Sequence, residues 1–163
     1  MKKVAIVMGS ASDMPAVQPA VDRLKKWGVD TQVRVLSAHR TPQEAADFAA
    51  GARENGFGAI IAAAGKAAAL PGALAAVTTL PVIGLPVKSS FMDGLDSLLS
   101  MAQMPPGIPV ATVGVNAAEN AAILALEIMA VADADAAALL KAHREEMTRS
   151  VLAADAKIRE AFK

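Results

Sequence analysis

The sequence predicts an α/β fold in three layers, an α/β/α sandwich, with a parallel five-stranded sheet between two layers of helices. Short apolar runs alternate with segments of helical periodicity, which is the pattern of βαβ units that feed a parallel sheet. Most of the runs are continuous rather than alternating, as expected for strands that helices cover on both faces. The predicted strands are Lys3–Met8, Thr31–Leu36, Ala59–Ala63, Val82–Leu85 and Val110–Val113.

Length and composition favour a single α/β domain over residues 1–163 and limit its partners. A chain of this length buries a substantial core without metal or disulfide support. Lys plus Arg number 16 and Asp plus Glu number 16, and the basic residues form no groove-sized cluster, so nucleic acid is not expected as a partner. The absence of cysteine excludes disulfides, cysteine-ligated zinc and thiol nucleophiles, and it fits the reducing cytoplasm, where we expect the protein.

Neither a signal peptide nor a membrane-spanning helix is expected. Turn residues follow the apolar start Lys3–Met8 at once, and no small-residue cleavage pattern is present. The uncharged stretch 67–87 is interrupted by proline and glycine, so it predicts a buried helix followed by a buried strand. We therefore expect no membrane partner.

The first two predicted helices have recognisable ends. Asp13 is expected to cap a helix that Gly28 ends, and Pro19 predicts a kink within it. Thr41-Pro42-Gln43-Glu44 combines a capping box with proline at the first helical position. Asn55-Gly56 is expected to end this second helix.

Three further helices are predicted over 67–78, 94–103 and 117–130, the last after a cap region at Asn116. A final helix, from about 135 to 162, carries a thin apolar stripe. No later element exists to cover this stripe, so we expect the helix to pack on neighbouring subunits; the alternative is a helix that lies on its own domain. The stripe consists of Leu139, Leu140, Met147, Val151, Ile158 and Phe162.

Candidate ligand-binding residues follow the first predicted strand, because ligands of open parallel sheets bind at the carboxyl ends of the strands. The turn Gly9–Asp13 offers the hydroxyls of Ser10 and Ser12, the carboxylate of Asp13 and a helix N-terminus, which together favour a phosphate. The same residues can equally serve as helix caps alone. Since neither this turn nor Gly65-Lys66 fits a dinucleotide or P-loop motif, a mononucleotide-like ligand is favoured.

The second strand leads into Ser37–Pro42, which contains one of the two histidines. Most lone histidines are structural, but His39 at a strand end beside a helix start suits a proton donor or acceptor near neutral pH. Arg40 either clamps a phosphate or carboxylate or is a solvated arginine at the helix start. His143 lies between charged neighbours and is interpreted as part of a solvated helix face, outside catalysis.

The loop Ala63–Gly72, after the third strand, consists mainly of small residues. Small residues let the backbone approach a flat ligand closely, and they also allow tight helix–sheet packing; both interpretations can hold together. No cluster of His, Asp and Glu has metal-ligand spacing, and no serine accompanies a plausible catalytic triad. Metal-dependent and acyl-transfer chemistry are therefore not expected.

Taken in order, six segments resemble the motifs of the N5-carboxyaminoimidazole ribonucleotide mutase family, PurE, of purine biosynthesis. The similarity runs from the first strand to about Ala130. It implies a flavodoxin-like fold and a homo-octamer whose C-terminal helix engages neighbouring subunits. It also implies that a carboxylate moves from an exocyclic nitrogen to a ring carbon, through CO2 held in a closed pocket and without metal, ATP or organic cofactor. The segments are Met8–Asp13, Ser37–Pro42, Leu70–Gly72, Leu80–Val87, Gly94–Ser100 and Met104–Thr112.

The resemblance further implies a role for each candidate residue. Ser10, Ser12 and Arg40 would hold the 5′-phosphate of the substrate, and Asp13 the ribose hydroxyls. His39 would donate a proton to the leaving nitrogen and later remove the proton from the carboxylated carbon, in a site that excludes water. The base and CO2 pocket would be lined by Gly65, Lys66, Ala67 and Leu70, with backbone from Ser37 and Ala38.

Two positions depart from the family's pattern. Ala69 stands where the family has a second histidine, and Lys66 stands where many members have glycine. Lys66 either attracts a carboxylate or is a solvated loop lysine. Three hypotheses remain: the mutase, a CO2-dependent aminoimidazole ribonucleotide carboxylase, and a binding module without chemistry, such as a non-catalytic nucleotide-binding paralogue. One Trp, no Tyr and four Phe leave few rings to sandwich a flavin.

Overall fold

All five predicted strands are present in the computed structural model, which describes residues 1–163. The strands are β1 (Lys3–Met8), β2 (Thr31–Val35), β3 (Phe57–Ala64), β4 (Val82–Pro86) and β5 (Ala111–Thr112). The helices are α1 (Met14–Lys26), α2 (Pro42–Gly51), α3 (Leu70–Ala75), α4 (Leu95–Ala102), α5 (Ala118–Ala130) and α6 (Ala134–Ala161). The predicted alternation of strands and helices is therefore confirmed.

The five strands form one parallel sheet in the order β2-β1-β3-β4-β5. Because β1 lies between β2 and β3, the chain crosses over β1 after β2 and continues on its other side. The order reverses at this point, so the loops after β1 and β3 diverge and leave a crevice between them. The fold is flavodoxin-like, as the resemblance implied.

Helices cover both faces of the sheet. Side chains of one parity, such as Ile6 and Ile61, pack with α1, α5 and the start of α6, whereas Val7 and Ile60 pack with α2, α3 and α4. The predicted burial on both faces is confirmed for β1, β3 and β4. It is wrong for β2 and β5, which have no buried residue, because both are edge strands.

The first helix begins differently from the prediction. Asp13 makes no capping hydrogen bond; instead the Ser10 hydroxyl accepts from the Ser12 backbone N–H and starts a 3-10 turn over 11–13 that leads into α1. Helix α1 continues through Pro19 without a break, and the kink expected there stays a prediction. The predicted end is confirmed, since Gly28 adopts a left-handed φ of +68°.

The predicted capping box at the start of α2 does not form. Thr41 Oγ1 accepts from the Ser37 backbone N–H (2.9 Å) and donates to the Ser37 carbonyl (3.3 Å), so it closes the β2 loop and does not cap the helix. Helix α2 ends at Gly51, before the predicted Asn55-Gly56. Asn55 still takes part in the ending, because its side-chain amide donates to the Gly51 carbonyl over 2.8 Å.

His143 is buried, contrary to the prediction of a solvated helix face. It is 9% exposed, and its ring packs edge-on against Trp27 of α1 with 5.3 Å between the ring centroids. The charged neighbours in sequence lie on other faces of α6, whereas His143 follows the fully buried Ala136 by two helical turns. The His143 Nδ1 atom has no hydrogen-bond partner.

Helix α6 packs on the body of the fold up to His143, and Arg144 adds a hydrogen bond to Glu127 of α5 over 3.0 Å. The Asp133 carboxylate caps the start of α6 by accepting from the backbone N–H groups of Asp135 and Ala136, both over 3.1 Å. Residues 144–163 are all exposed, including the predicted apolar stripe beyond Leu140. No helix in the chain is both long enough and apolar enough to cross a membrane.

Candidate active site

A cavity of about 580 Å³ opens at the carboxyl ends of the first four strands. All eleven predicted site residues line it: Ser10, Ser12, Asp13, Ser37, Ala38, His39, Arg40, Gly65, Lys66, Ala67 and Leu70. Seven further residues line it: Gly9, Ala64, Ala68, Ala69, Val87, Lys88 and Ser89. The first four belong to the candidate loops Gly9–Asp13 and Ala63–Gly72, and the other three follow β4 and were not among the predicted site residues.

The β1 loop presents two linked hydroxyl groups. The Gly9 backbone N–H donates to the Ala63 carbonyl over 3.1 Å, which continues the ladder between β1 and β3 into the loop. Beyond it, Ser12 Oγ donates to Ser10 Oγ over 2.8 Å. Both hydroxyls face the cavity, and no residue outside this loop bonds them. They are therefore available to the oxygens of an anionic ligand.

Asp13 supplies the cavity's only carboxylate. Burial raises the pKa of this carboxyl above its ordinary value of 3.8, while a backbone hydrogen bond from Ser10 and the positive charge of Arg40 oppose the rise. A carboxylate that has lost part of its hydration gains from new donors, because each hydroxyl that bonds it replaces missing water. Asp13 is therefore suited to accept hydrogen bonds from the hydroxyl groups of a ligand.

Arg40 joins the β2 loop to the β1 loop. Its Nη2 atom donates to the Gly9 carbonyl over 2.9 Å, and its Nε and backbone N–H donate to Ser37 Oγ over 3.4 and 3.2 Å. These bonds hold the guanidinium against the β1 loop, whose Ser10 and Ser12 hydroxyls line the same cavity. An arginine fixed in this way presents its remaining donors to an anion with little further ordering.

His39 is exposed at the cavity and forms no hydrogen bond or ion pair with the rest of the chain. It lies in the turn between the end of β2 and the start of α2. Both ring nitrogens are thus free to bond a ligand, and neither is fixed as donor or acceptor by a neighbouring group. This freedom suits a group that must donate a proton in one step and accept one in the next.

The β3 loop has an unusual backbone. Lys66 and Ala68 adopt positive φ angles of 56° and 24°, and the Ala68 N–H donates to the Gly65 carbonyl over 3.2 Å. This turn delays α3, which begins at Leu70 and ends at Ala75; the predicted span of 67–78 is too long at both ends. Residues 65–70 instead form part of the cavity wall, and Lys66 carries the only polar side chain among them.

The loop after β4 completes the cavity, and sequence reasoning missed it. Val87 continues the ladder by donating to the Ala64 carbonyl over 2.9 Å. The Lys88 N–H donates to Asn116 Oδ1 over 2.9 Å, so the predicted cap residue of α5 anchors this loop instead. Lys88 Nζ lies 3.0 Å from a carboxylate oxygen of Asp93. The signal was present, since the predicted strand at Val82–Leu85 must also end at this edge of the sheet.

Gly94 is required for the path of the β4 loop. Its φ is +100°, and an added Cβ would lie 2.9 Å from Val115 Cγ1 and 3.1 Å from Lys88 Cα. Ser97, fully buried, donates to the carbonyls of Val87 (3.0 Å) and Gly94 (2.8 Å) and ties both ends of the loop to α4. The side of the cavity formed by Val87, Lys88 and Ser89 is thus fixed by packing.

The charges that line the cavity favour an anionic ligand. The lining includes three cationic side chains, Arg40, Lys66 and Lys88, and only one carboxylate, that of Asp13. Together with the serine hydroxyls and the nearby helix start, this set suits a phosphorylated ligand with a further acidic group. No group of three or more His, Asp or Glu side chains is placed to hold a metal ion.

Comparisons with known proteins agree with this geometry. The family model described as AIR carboxylase matches residues 3–150. An N5-carboxyaminoimidazole ribonucleotide mutase from Pyrococcus abyssi is 54% identical over 91% of this chain and 86% of its own length. The corresponding protein from Methanocaldococcus jannaschii is 51% identical over 98% and 99%. The crystal structure of Treponema denticola PurE superposes with a TM-score of 0.84 at 29% identity, covering 94% of this chain and 96% of that one. The chain therefore belongs to the AIR carboxylase family, the PurE family that its loop motifs resemble.

Proposed function

We propose that the chain is a cytoplasmic N5-carboxyaminoimidazole ribonucleotide mutase of purine biosynthesis, which converts its substrate to 4-carboxyaminoimidazole ribonucleotide. The observation that carries the proposal is the meeting of all eleven candidate residues in one cavity of about 580 Å³. The cavity holds groups suited to both ends of the substrate. Hydroxyls and a guanidinium suit the phosphate, and a histidine together with small residues suits the base. The activity of the relatives from Pyrococcus abyssi and Methanocaldococcus jannaschii supports the same conclusion.

The ribose-phosphate end of the substrate would bind to the β1 and β2 loops. Ser10, Ser12 and Arg40 would hold the 5′-phosphate, and Asp13 would accept from the ribose hydroxyls. The bond from Arg40 to the Gly9 carbonyl supports this assignment, because it ties the guanidinium to the loop that carries both serines. The raised pKa of the Asp13 carboxyl supports its part, since desolvation strengthens its attraction for hydroxyl donors.

His39 would carry the proton through both halves of the reaction. As the C–N bond of the carbamate breaks, its electron pair stays on the exocyclic nitrogen, which takes a proton from the imidazolium; CO2 is released into the pocket. The ring carbon then attacks CO2, and the neutral imidazole removes the proton from that carbon. One proton is given and one regained, so a single histidine suffices and no metal or organic cofactor is needed.

The β3 loop would enclose the base and CO2. Gly65, Ala67 and Leu70, with the backbone of Ser37 and Ala38, line this part of the cavity. Ala69 leaves a methyl group where the family has its second histidine, so this wall has less polar contact with CO2. That observation favours a second candidate, a carboxylase that takes CO2 from solution onto aminoimidazole ribonucleotide.

The proposed assembly is a homo-octamer in which α6 packs on neighbouring subunits. Its distal half supports this proposal, because Met147, Val151, Ile158 and Phe162 are 48%, 68%, 60% and 84% exposed. Four large apolar side chains along one side of an isolated helix are unfavourable in water and are typical of a subunit contact.

The test is a side-by-side assay of two substrates. Freshly prepared N5-carboxyaminoimidazole ribonucleotide is supplied in bicarbonate-free buffer, and aminoimidazole ribonucleotide is supplied with bicarbonate. We expect fast formation of the 4-carboxy product from the first substrate at a rate that added bicarbonate does not raise. Turnover only of the second substrate would select the carboxylase. Binding of the product nucleotide without turnover of either substrate would select the non-catalytic paralogue.

A further inference from the structure

The three cationic side chains of the cavity differ in the hydrogen bonds and ion pairs that they form with other protein groups. Arg40 donates to Gly9 and Ser37, and Lys88 pairs with Asp93. Lys66 has neither a hydrogen bond nor an ion pair to any protein group. Because a lone ammonium gains most from an anion when no internal partner competes, Lys66 is the cavity's available cation.

The backbone conformation of the β3 loop determines where Lys66 lies. It lies two residues after the fully buried Ala63–Ala64 end of β3 and has a left-handed φ of 56°. For a residue with a Cβ this conformation costs roughly 1–2 kcal/mol, which a glycine would avoid. The preceding Gly65 lies close to the β4 loop, because a Cβ added there would be 3.4 Å from the Val87 carbonyl oxygen. The backbone therefore holds Lys66 on the cavity lining, close to the β4 loop.

The three residues that follow Lys66 leave it space and no competitor. Ala67, Ala68 and Ala69 line the same wall and contribute only methyl groups and backbone. The ammonium is thus the sole side-chain charge of the β3 loop, the loop that would enclose the base of a bound nucleotide once its phosphate is held by the β1 and β2 loops.

We propose that the Lys66 ammonium binds the carboxylate of the carboxylated nucleotides and so determines that the site prefers them over the uncarboxylated one. This inference rests on the proposed function and goes beyond it by naming the specificity-determining residue. Before the transfer, Lys66 pairs with the carboxylate on the exocyclic nitrogen; after it, with the carboxylate on the ring carbon. It takes no part in proton transfer, which His39 performs.

The test measures the dissociation constants of two stable nucleotides by calorimetry, 4-carboxyaminoimidazole ribonucleotide and aminoimidazole ribonucleotide. Lys66→Met should weaken binding of the first about fivefold to tenfold and leave the second within twofold, because only the first has the carboxylate. Lys66→Arg should restore most of the preference. Lys25→Met removes the same charge from the exposed face of α1 and should change neither constant.

Turnover gives a second readout. In Lys66→Met the KM for the carboxylated substrate should rise by the same factor while kcat falls less than threefold, since a lost ground-state contact acts on binding. Equal preference of wild type and Lys66→Met for the carboxylated nucleotide would overturn the inference while leaving the mutase intact. A wild-type protein that binds neither nucleotide would overturn both.

Discussion

The guanidinium of Arg40 donates to the carbonyl oxygen of Gly9 over 2.9 Å and thereby joins the loops that follow β1 and β2. Neither strand alone makes a site. The bond fixes a cation against the β1 loop that carries the Ser10 and Ser12 hydroxyls, and the reversal of strand order between β1 and β3 leaves the cavity open toward the β3 loop. In the proposed function, Ser10, Ser12, Asp13 and Arg40 anchor the ribose-phosphate, whereas His39 of the β2 loop and the β3 loop act on the base.

Arg40→Gln tests the anchoring role. It should weaken binding of any nucleotide that carries the 5′-phosphate by about 10- to 100-fold, because it removes charge-assisted hydrogen bonds to phosphate. Calorimetry with the product nucleotide and with its dephosphorylated nucleoside measures the effect, and the nucleoside should bind equally to both proteins. The matched control is Arg53→Gln, since Arg53 bonds Thr79 through Nε (3.1 Å) and Nη2 (2.9 Å) away from the cavity. A similar loss in both variants would contradict the assignment.

His39→Asn tests the proton carrier. We expect kcat to fall by at least about 100-fold, the usual contribution of a positioned acid–base group. The free energy of unfolding should change by less than about 0.5 kcal/mol, because His39 is exposed and bonds no other residue.

The second histidine supplies the control. His143→Asn should leave kcat within twofold and lower the melting temperature, because it removes the buried ring that packs on Trp27. Near-normal turnover in His39→Asn would remove His39 from the reaction.

Asp13→Asn tests the cost of a half-buried carboxylate. Burial raises the folded-state pKa of Asp13 above 3.8, so the folded protein holds this proton more tightly than the unfolded chain. The contribution of Asp13 to stability is therefore most favourable below pH 3.8, declines as the pH rises through the folded-state pKa, and stays low at neutral pH.

Asp13→Asn should consequently melt higher than wild type at pH 7, and this gap should narrow at pH 3.5. Thermal melts of both proteins at the two pH values measure the gap, and other acid-sensitive groups cancel in the difference. The same variant should bind the nucleotide more weakly through its ribose. A gap that widens on acidification would contradict the direction of the pKa shift.

The distal half of α6 tests the proposed assembly. Val151→Asp with Ile158→Asp places two charges on the exposed apolar stripe and should reduce the particle mass, measured by light scattering, from eight chains to fewer. The control, Ala153→Asp with Ala156→Asp, adds the same charge on the opposite side of the helix and should leave the mass unchanged. An unchanged octamer in the first variant, or a wild-type monomer of 16.6 kDa, would contradict the proposal.

Local patterns predicted the strands and the three loops at their ends, because apolar runs and turn residues act over a few positions. These local predictions were wrong where a side chain forms its hydrogen bond with a group that is distant in sequence or lies outside the predicted helix. Thr41 and Asn116 have the chemistry of helix caps, yet they bond Ser37 and Lys88, which only the folded chain brings near. The prediction that His143 is solvated was wrong for a related reason. Its charged neighbours in sequence suggested an exposed helix face, whereas His143 lies on the buried face that it shares with Ala136.

The β4 loop was missed because the recognised segment Leu80–Val87 ends before Lys88 and Ser89. Lys88 and Ser89 face the cavity only because β4 pairs with β3, and the pairing order of strands is a property of the sheet. The left-handed turn at Lys66 and Ala68 was equally hidden, since both residues ordinarily favour helix and the sequence predicted a helix from residue 67 onward.

The most direct test of the mutase is the origin of the transferred carboxylate. Unlabelled N5-carboxyaminoimidazole ribonucleotide is converted in buffer that contains ¹³C-bicarbonate, and the mass of the product is measured by mass spectrometry. If CO2 remains enclosed beside His39 during the transfer, the enzymatic product stays unlabelled. A product labelled to the level of the surrounding bicarbonate would contradict the account and identify a carboxylase that takes its CO2 from solution.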